Sequence, residues 1–177
     1  METQTKQQQE TESQEISEIS WTKSPLNYKA FDSYELDWHK ACQEARDKVY
    51  EWMDTVREGK VSGLVLWSDN YGCGKTHLAK AACAALGPVP TAPWGFRKHG
   101  LFLTSEHFYQ AIRDAYSDNG SPTPLFKEWT ESPYVVMDDV GKEYISNRDW
   151  GQEQFFKFIN RVHEERSLLM TSNLSPA

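Results

Sequence analysis

Apolar residues recur along this chain in two periods, and the way those periods alternate predicts the architecture. From Asp37 to Arg57 the apolar positions Trp38, Cys42, Ala45, Val49, Trp52, Met53 and Val56 are spaced mostly by three and four, which lays them on one helical face. Gly59 supplies a stop signal. Directly after it, Gly63-Leu64-Val65-Leu66-Trp67 is a short continuous apolar run, the pattern of a strand buried on both faces of a parallel sheet. Further strands are expected at Leu101–Thr104, Tyr134–Met137 and Leu168–Thr171. A helix opening at Ser105 carries Phe108, Ile112 and Ala115 on one face, and a later helix carries Phe155, Phe156, Ile159 and Val162. Strands alternating with helices indicate an α/β domain with a mainly parallel sheet. Gly87–Gly100, with Pro88, Pro90 and Pro93, and Ser117–Pro124 read as loops from their turn residues.

Composition narrows this picture. The 177 residues suffice for one domain with a sizeable core. Mean hydropathy is −0.71, and no stretch approaches the roughly 20 apolar residues of a membrane span. The N-terminus lacks the apolar segment of a secretory signal. Cys42, Cys73 and Cys83 form no C-x-x-C pair, which argues against a disulfide framework or a cysteine-rich zinc site. A soluble, cytoplasmic protein with no membrane partner is expected. The first twenty residues hold five Gln, five Glu, three Ser and three Thr, with Ile16 and Ile19 as the branched aliphatics. Such a segment buries too little apolar area to offset its ordering entropy, so residues 1–26 read as a disordered acidic, Gln-rich tail and 27–177 as the folded core. The tail carries −4 of the overall −7, leaving −3 on the other 157 residues, a balance compatible with a local basic patch.

The chemistry begins where the first strand ends, at Ser68-Asp69-Asn70-Tyr71-Gly72-Cys73-Gly74-Lys75-Thr76-His77. Gly72 and Gly74 let the backbone turn its N–H groups toward an anion, Lys75 can reach the β- and γ-phosphates of a nucleotide, and Thr76 can ligate Mg²⁺. The helix that follows, to Leu86, points its positive end at the same place. Strand, glycine loop and helix stand in the order a phosphate-binding loop requires. Asn70, Tyr71, Gly72, Cys73, Gly74, Lys75, Thr76 and His77 are therefore the candidate ATP-contacting residues, with His77 serving mainly to start the helix. One position departs: Asp69 stands where the motif G-x-x-x-x-G-K-[ST] has its first glycine. Asp tolerates left-handed backbone angles, so the loop can still form, although a carboxylate there repels phosphate.

The third strand runs into Met137-Asp138-Asp139-Val140-Gly141. An apolar strand finishing in acids suits nucleotide hydrolysis, with Asp138 assigned to the Mg²⁺ shell and Asp139 to polarising the attacking water. The fourth strand ends in Thr171-Ser172-Asn173. Ligands collect at the carboxyl ends of parallel strands, so Asn173 is placed near the loop and the acids, where its amide can orient the water or contact the γ-phosphate.

With these residues in view, the chain resembles the AAA+ ATPases of the DnaC/IstB type, bacterial and phage helicase loaders and transposition helper ATPases. The resemblance rests on Asn27-Tyr28-Lys29-Ala30-Phe31-Asp32, Gly72–Ala79, Val136-Met137-Asp138-Asp139-Val140-Gly141-Lys142-Glu143 and Thr171-Ser172-Asn173-Leu174. It implies a three-layer α/β/α P-loop core that uses ATP and Mg²⁺. It also implies that Lys75 and Thr76 are Walker A residues, Asp138 and Asp139 Walker B, and Asn173 sensor 1. The partners it implies are a replicative hexameric helicase, single-stranded DNA and further copies of the chain. A transposition helper, or a nucleotide-binding module without turnover, is the alternative. The family continues past sensor 1 into a fifth strand, an arginine finger and a helical lid, none of which follows Asn173 in these residues, and its sheet order then leaves the first strand as an open edge. Weaker candidates are a basic and aromatic cluster, Trp94, Phe96, Arg97, Lys98 and His99, suited to stacking on single-stranded DNA or to anchoring a surface loop. Cys73 is a possible oxidation sensor or a small spacer, and Arg148, Arg161 and Arg166 could serve a neighbouring subunit or form surface ion pairs.

Overall fold

The computed structural model describes residues 40–90, 97–117, 120–141 and 148–175. The expected tail, the Asn27–Asp32 motif, Trp38, Trp94, Phe96, Lys142 and Glu143 lie outside the described residues, as do the side chains of Cys42, Arg97 and Arg148.

Helix α1 spans Lys40–Arg57, strand β1 Gly63–Trp67 and helix α2 Lys75–Leu86. Two short strands, β2 (Val89–Pro90) and β3 (Arg97–Lys98), pair antiparallel within the stretch expected to be loop. Strand β4 (Leu101–Thr104) leads directly into α3 (Ser105–Ser117), whose first turn is capped by the Thr104 Oγ1 accepting the His107 N–H at 3.2 Å. There follow α4 (Thr123–Thr130), β5 (Tyr134–Val140), α5 (Arg148–Glu165) and β6 (Ser167–Ser172). The four longer strands form one all-parallel sheet in the order β1-β6-β5-β4.

Alternation along β5 divides the core. Tyr134 and Val136 face one side with Leu169 of β6, where α1 and α2 contribute Val49, Trp52, Met53, Leu78, Ala79 and Ala82. Val135 and Met137 face the other with Leu168, covered by α3, α4 and α5. On that second side Phe108 is the hub. Its ring lies 5.2 Å from Phe158, 5.6 Å from Trp129 and 5.8 Å edge-on from Phe155, geometries favourable to aromatic pairs. The result is the expected three-layer α/β/α arrangement.

Three expectations change. Ser117–Pro124 is not all loop, because α4 begins at Thr123 with Pro124 in its first turn, a position where the missing N–H costs nothing. Phe126 and Trp129 at a spacing of three then anchor it to Phe108. On α5, Phe156 is 65% exposed while Phe158 is fully buried. Phe158 stands four residues before Val162 and so shares its face, whereas Phe156 points away. Finally, β1 is not buried on both faces. It ends the sheet, and α1 and α2 cover the side bearing Leu64 and Leu66, while Val65 and Trp67 on the other side are 45% and 48% exposed. The continuous apolar run by itself points to two-sided burial, whereas the strand order makes β1 the open edge that the family resemblance implies.

The entry to β4 is tightly fitted. Gly100 lies against the fully buried Tyr134 ring, onto which an added Cβ would fall, and that ring is held from another side by Trp52, edge-on at 5.8 Å. Gly100→Ala is expected to lower stability by about 1–3 kcal/mol through overpacking, read as a reduced urea midpoint at unchanged slope. A wild-type midpoint would show that Tyr134 yields and that the fit is not a constraint.

Candidate functional site

The carboxyl ends of β1, β5 and β6 meet at one edge of the sheet, and hydrogen bonds fasten them together. The Ser68 N–H, first residue beyond β1, donates to the Ser172 carbonyl at 3.2 Å. The Ser172 hydroxyl donates to the Val140 carbonyl at 2.8 Å and accepts the Leu174 N–H at 3.0 Å. The loop after β1, the last residue of β5 and the residues after β6 are thus held together around Ser172.

The loop from Ser68 to Gly74 turns back through glycine. Gly72 and Gly74 have φ of 74° and 92°, a region where side-chain-bearing residues are strained. The Asn70 N–H donates to Ser68 Oγ at 3.1 Å, and Tyr71 is exposed at the tip. The loop forms with Asp69 at its start, as expected, and Asp69 does not use the left-handed angles that Asp tolerates: among the described residues, Asp139 is the non-glycine with positive φ. The loop therefore closes without the first motif glycine's conformational freedom. Gly74 caps α2, whose first turn contains no acid, leaving the N–H groups and positive dipole end of the helix uncompensated by side chains. Half-buried His77 lies in that first turn. The Lys75 ammonium arches over the loop, donating to the Ser68 carbonyl (3.1 Å), the Asn70 carbonyl (3.0 Å) and Cys73 Sγ (3.3 Å).

From α2 the Thr76 hydroxyl reaches across to β5 and donates to Asp138 Oδ1 at 2.9 Å. This carboxylate is almost completely buried, and the same oxygen accepts a second hydrogen bond at 2.5 Å from the Thr171 hydroxyl of β6. Asp139 sits in the left-handed region at φ 59°. Its N–H donates to Thr171 Oγ1 at 2.9 Å and its carbonyl accepts from the Ser105 hydroxyl at 2.9 Å. Asn173 follows the Ser172 junction, and its Nδ2 is buried with no hydrogen-bond partner among the described residues. An orphaned amide donor beside a glycine loop and a buried carboxylate is the kind of group a bound anion satisfies.

The residues expected to act together are therefore brought together: Lys75, Thr76, Asp138, Asp139 and Asn173 all belong to this edge. Of the weaker candidates, Cys73 joins them under the Lys75 ammonium, whereas Lys98 and Arg166 are engaged elsewhere. Lys98 forms an exposed ion pair with Glu131 at 3.5 Å. Arg166 donates through Nε to the Thr130 carbonyl at 2.8 Å, fastening α4 to the start of β6. Three residues were missed, Ser105, Thr171 and Ser172, all small hydroxyl side chains. In Thr171-Ser172-Asn173 the amide is the chemically distinctive group, and nothing in a lone Thr or Ser marks it as a junction.

A four-stranded parallel sheet with a phosphate loop after β1 and buried acid at the end of β5 defines an AAA+ P-loop domain. Residues 40–177 match the sequence model of the bacterial DnaA ATPase domain, and the chain belongs to that family. It is 32% identical over 116 residues to the chromosomal replication initiator protein DnaA of Caulobacter sp. (strain K31), covering 64% of this chain but 22% of that protein's length. The crystal structure of the DnaC helicase loader superposes with a TM-score of 0.57 at 26% identity, over 76% of this chain and 71% of that one. A replication initiator DnaA bound to AMPPCP and single-stranded DNA shares the fold, with a TM-score of 0.53 at 19% identity over 72% of this chain and 38% of that one. The resemblance drawn from the motifs thus holds, within the AAA+ family of DNA replication initiators and helicase loaders. Among the described residues no helix is long and apolar enough to cross a membrane.

The two described cysteine side chains differ in environment. Burial pushes the Cys73 thiol up, but hydrogen bonds with Ser68 and Lys75 and the Lys75 charge outweigh it and hold the thiol below its ordinary value. Burial pushes the wholly buried Cys83 thiol far up. A lowered value means more thiolate at a given pH, so in a Cys42→Ser background iodoacetamide is expected to label Cys73 with a rate midpoint below that of Cys73 in the urea-unfolded chain. Cys83 is expected to stay unlabelled while the protein is folded. Equal labelling of both, mapped by mass spectrometry, would refute this assignment.

Proposed function

We propose that this edge binds ATP with Mg²⁺ and that the chain uses nucleotide binding and hydrolysis to help place a replicative helicase on single-stranded DNA. The observation that carries the nucleotide reading is the Thr76–Asp138 hydrogen bond, which joins the first turn of the loop helix to a buried acid on β5 beside an unsatisfied amide on Asn173.

Each group has a role that its position supports. The backbone N–H groups from Gly72 to Thr76 receive the phosphates at the positive end of α2. Lys75 exchanges its two carbonyl contacts and Cys73 Sγ for phosphate oxygens, a charge-assisted interaction roughly twice as strong as a neutral hydrogen bond. Thr76 and Asp138 hold the metal. Their number suits Mg²⁺, which keeps most of its water and is bound through one or two carboxylates plus phosphate rather than by a protein cage. Held by Thr76 and Asp138, Mg²⁺ would supply positive charge against the negative charge that develops on the phosphates. Asp139, with its backbone turned by the positive φ, orients the attacking water and accepts its proton, and the Asn173 amide donates to the water or the γ-phosphate. The replication setting is supported by the family match and by the likeness to a helicase loader. The DNA contact is supported by the fold shared with an initiator that holds single-stranded DNA.

Lys75→Ala is expected to abolish binding of a fluorescent ATP analogue while leaving the urea midpoint near wild type, because its contacts lie on a partly exposed loop. Retained nucleotide affinity in that variant would refute the site. Retention of ATP-loaded chain, but not of Lys75→Ala, on an immobilised replicative helicase is the second expected result. Equal retention of both would remove nucleotide control from the proposal.

A further inference from the structure

Pairing between β5 and β6 is regular as far as Met137 opposite Met170, then slips, and resumes with Val140 opposite Ser172. Between those pairs two residues of β5, Asp138 and Asp139, stand against one residue of β6, Thr171. This is a β-bulge, an irregularity that re-aims side chains and is found less often in parallel pairs than in antiparallel ones. Ladder hydrogen bonds cannot be made normally at such a place, and the buried backbone groups there need other partners. The Thr171 hydroxyl serves one backbone group and one side chain there. It accepts the Asp139 N–H at 2.9 Å and donates its own proton to Asp138 Oδ1 at 2.5 Å. The far side of the bulge is closed by the Ser105 hydroxyl on the Asp139 carbonyl at 2.9 Å. A non-glycine residue at φ 59° persists where the surroundings over-determine it, and here both its backbone polar groups are clamped by buried side chains.

We infer that Thr171 is a positioning residue of the nucleotide site: its single hydroxyl holds the Asp138 carboxylate toward Thr76 and stabilises the bulge that turns Asp139 toward the ligand. The inference rests on the ATP·Mg²⁺ reading of this edge, and it concerns a residue that itself touches neither nucleotide nor metal. Thr171 has no exposed surface, so its hydroxyl is committed to these two partners rather than to solvent. Donating to one oxygen of Asp138 also fixes the rotation of the carboxylate, as outer hydrogen-bond partners do for metal ligands.

The test compares Thr171→Val, which keeps the shape and deletes the hydroxyl, with Thr171→Ser, which keeps the hydroxyl and deletes a methyl. In nucleotide-free protein, amide hydrogen exchange at Asp139 is expected to accelerate on the order of tenfold to a hundredfold in Thr171→Val and to stay near wild type in Thr171→Ser, the range expected for losing a hydrogen bond to a charged network. With nucleotide, Thr171→Val is expected to lose the additional affinity for ATP that Mg²⁺ confers over EDTA, and Thr171→Ser to retain it. Wild-type exchange and wild-type Mg²⁺ dependence in Thr171→Val would overturn the inference. If Thr171→Val does not fold, loss of Mg²⁺ dependence in a folded Thr171→Ser overturns it equally, since the hydroxyl is then present without its effect. Lys75→Ala separates the two levels: nucleotide binding that survives Lys75→Ala sinks the site itself, whereas loss there with normal behaviour of Thr171→Val sinks the role of Thr171 alone.

Discussion

The Asp138 carboxylate is the point on which the functional edge depends. A single oxygen of it accepts hydrogen bonds from Thr76, 62 residues earlier, and from Thr171, 33 residues later. It therefore crosslinks the phosphate-loop helix, the central strand and its neighbour. Removing an ionised carboxylate from water is costly unless it is hydrogen-bonded, and each bond to a charged group contributes about 1.5–3 kcal/mol. Two hydroxyl donors keep that cost tolerable. The same arrangement presets the spacing between α2 and β5, which a metal held between Thr76 and Asp138 would otherwise have to impose on binding.

Around that crosslink, hydroxyl groups of small side chains do what regular sheet pairing cannot. The Ser172 hydroxyl holds the end of β5 while its backbone carbonyl takes the Ser68 N–H, the Ser105 and Thr171 hydroxyls clamp the backbone of Asp139, and the Thr76 hydroxyl reaches Asp138. None of these side chains is large enough to contribute much apolar burial, so their value is directional. The apolar clusters on either face supply cohesion without specifying where a carboxylate points. The division of labour is spatial: Phe108 and Tyr134 sit in the body of the core, and the hydroxyls gather where the strands end.

Much of this was legible from the chain alone, for reasons that can be named. The helix at Val49, Trp52, Met53 and Val56 and the strands at Leu101–Thr104 and Tyr134–Met137 show because burial imposes a period on them. The phosphate loop shows because glycine, lysine and threonine are needed there at fixed spacing. Other features depend on partners distant in sequence and carry no local signature. Exposure of Val65 and Trp67 follows from strand order, since an apolar run reads the same at an edge as in the middle of a sheet. Helix α4 is short, follows Ser121-Pro122 and opens with Thr123-Pro124, so turn residues mask the Phe126 and Trp129 spacing behind them. The bulge is invisible locally because it is a relation between Asp138, Asp139 and a threonine on another strand.

The pairing of β1 with β6 carries a further consequence, for the order in which the molecule can assemble. Gly63 lies opposite Leu168, and the Ser62 N–H donates to Ser167 Oγ at 3.1 Å across a separation of 105 residues. The strand that launches the phosphate loop therefore has no sheet neighbour among the described residues until β6 has been made. Long-range parallel pairing of this kind must meet its loop-closure entropy before any contact rewards it, and it is slow. During synthesis α1, β1 and α2 emerge before β6, so Ser68 and Asp138 wait for their β6 partners Ser172 and Thr171. A nascent chain lacking β6 can collapse its helices without assembling the edge, which is complete only once β6 has paired with β1 and β5.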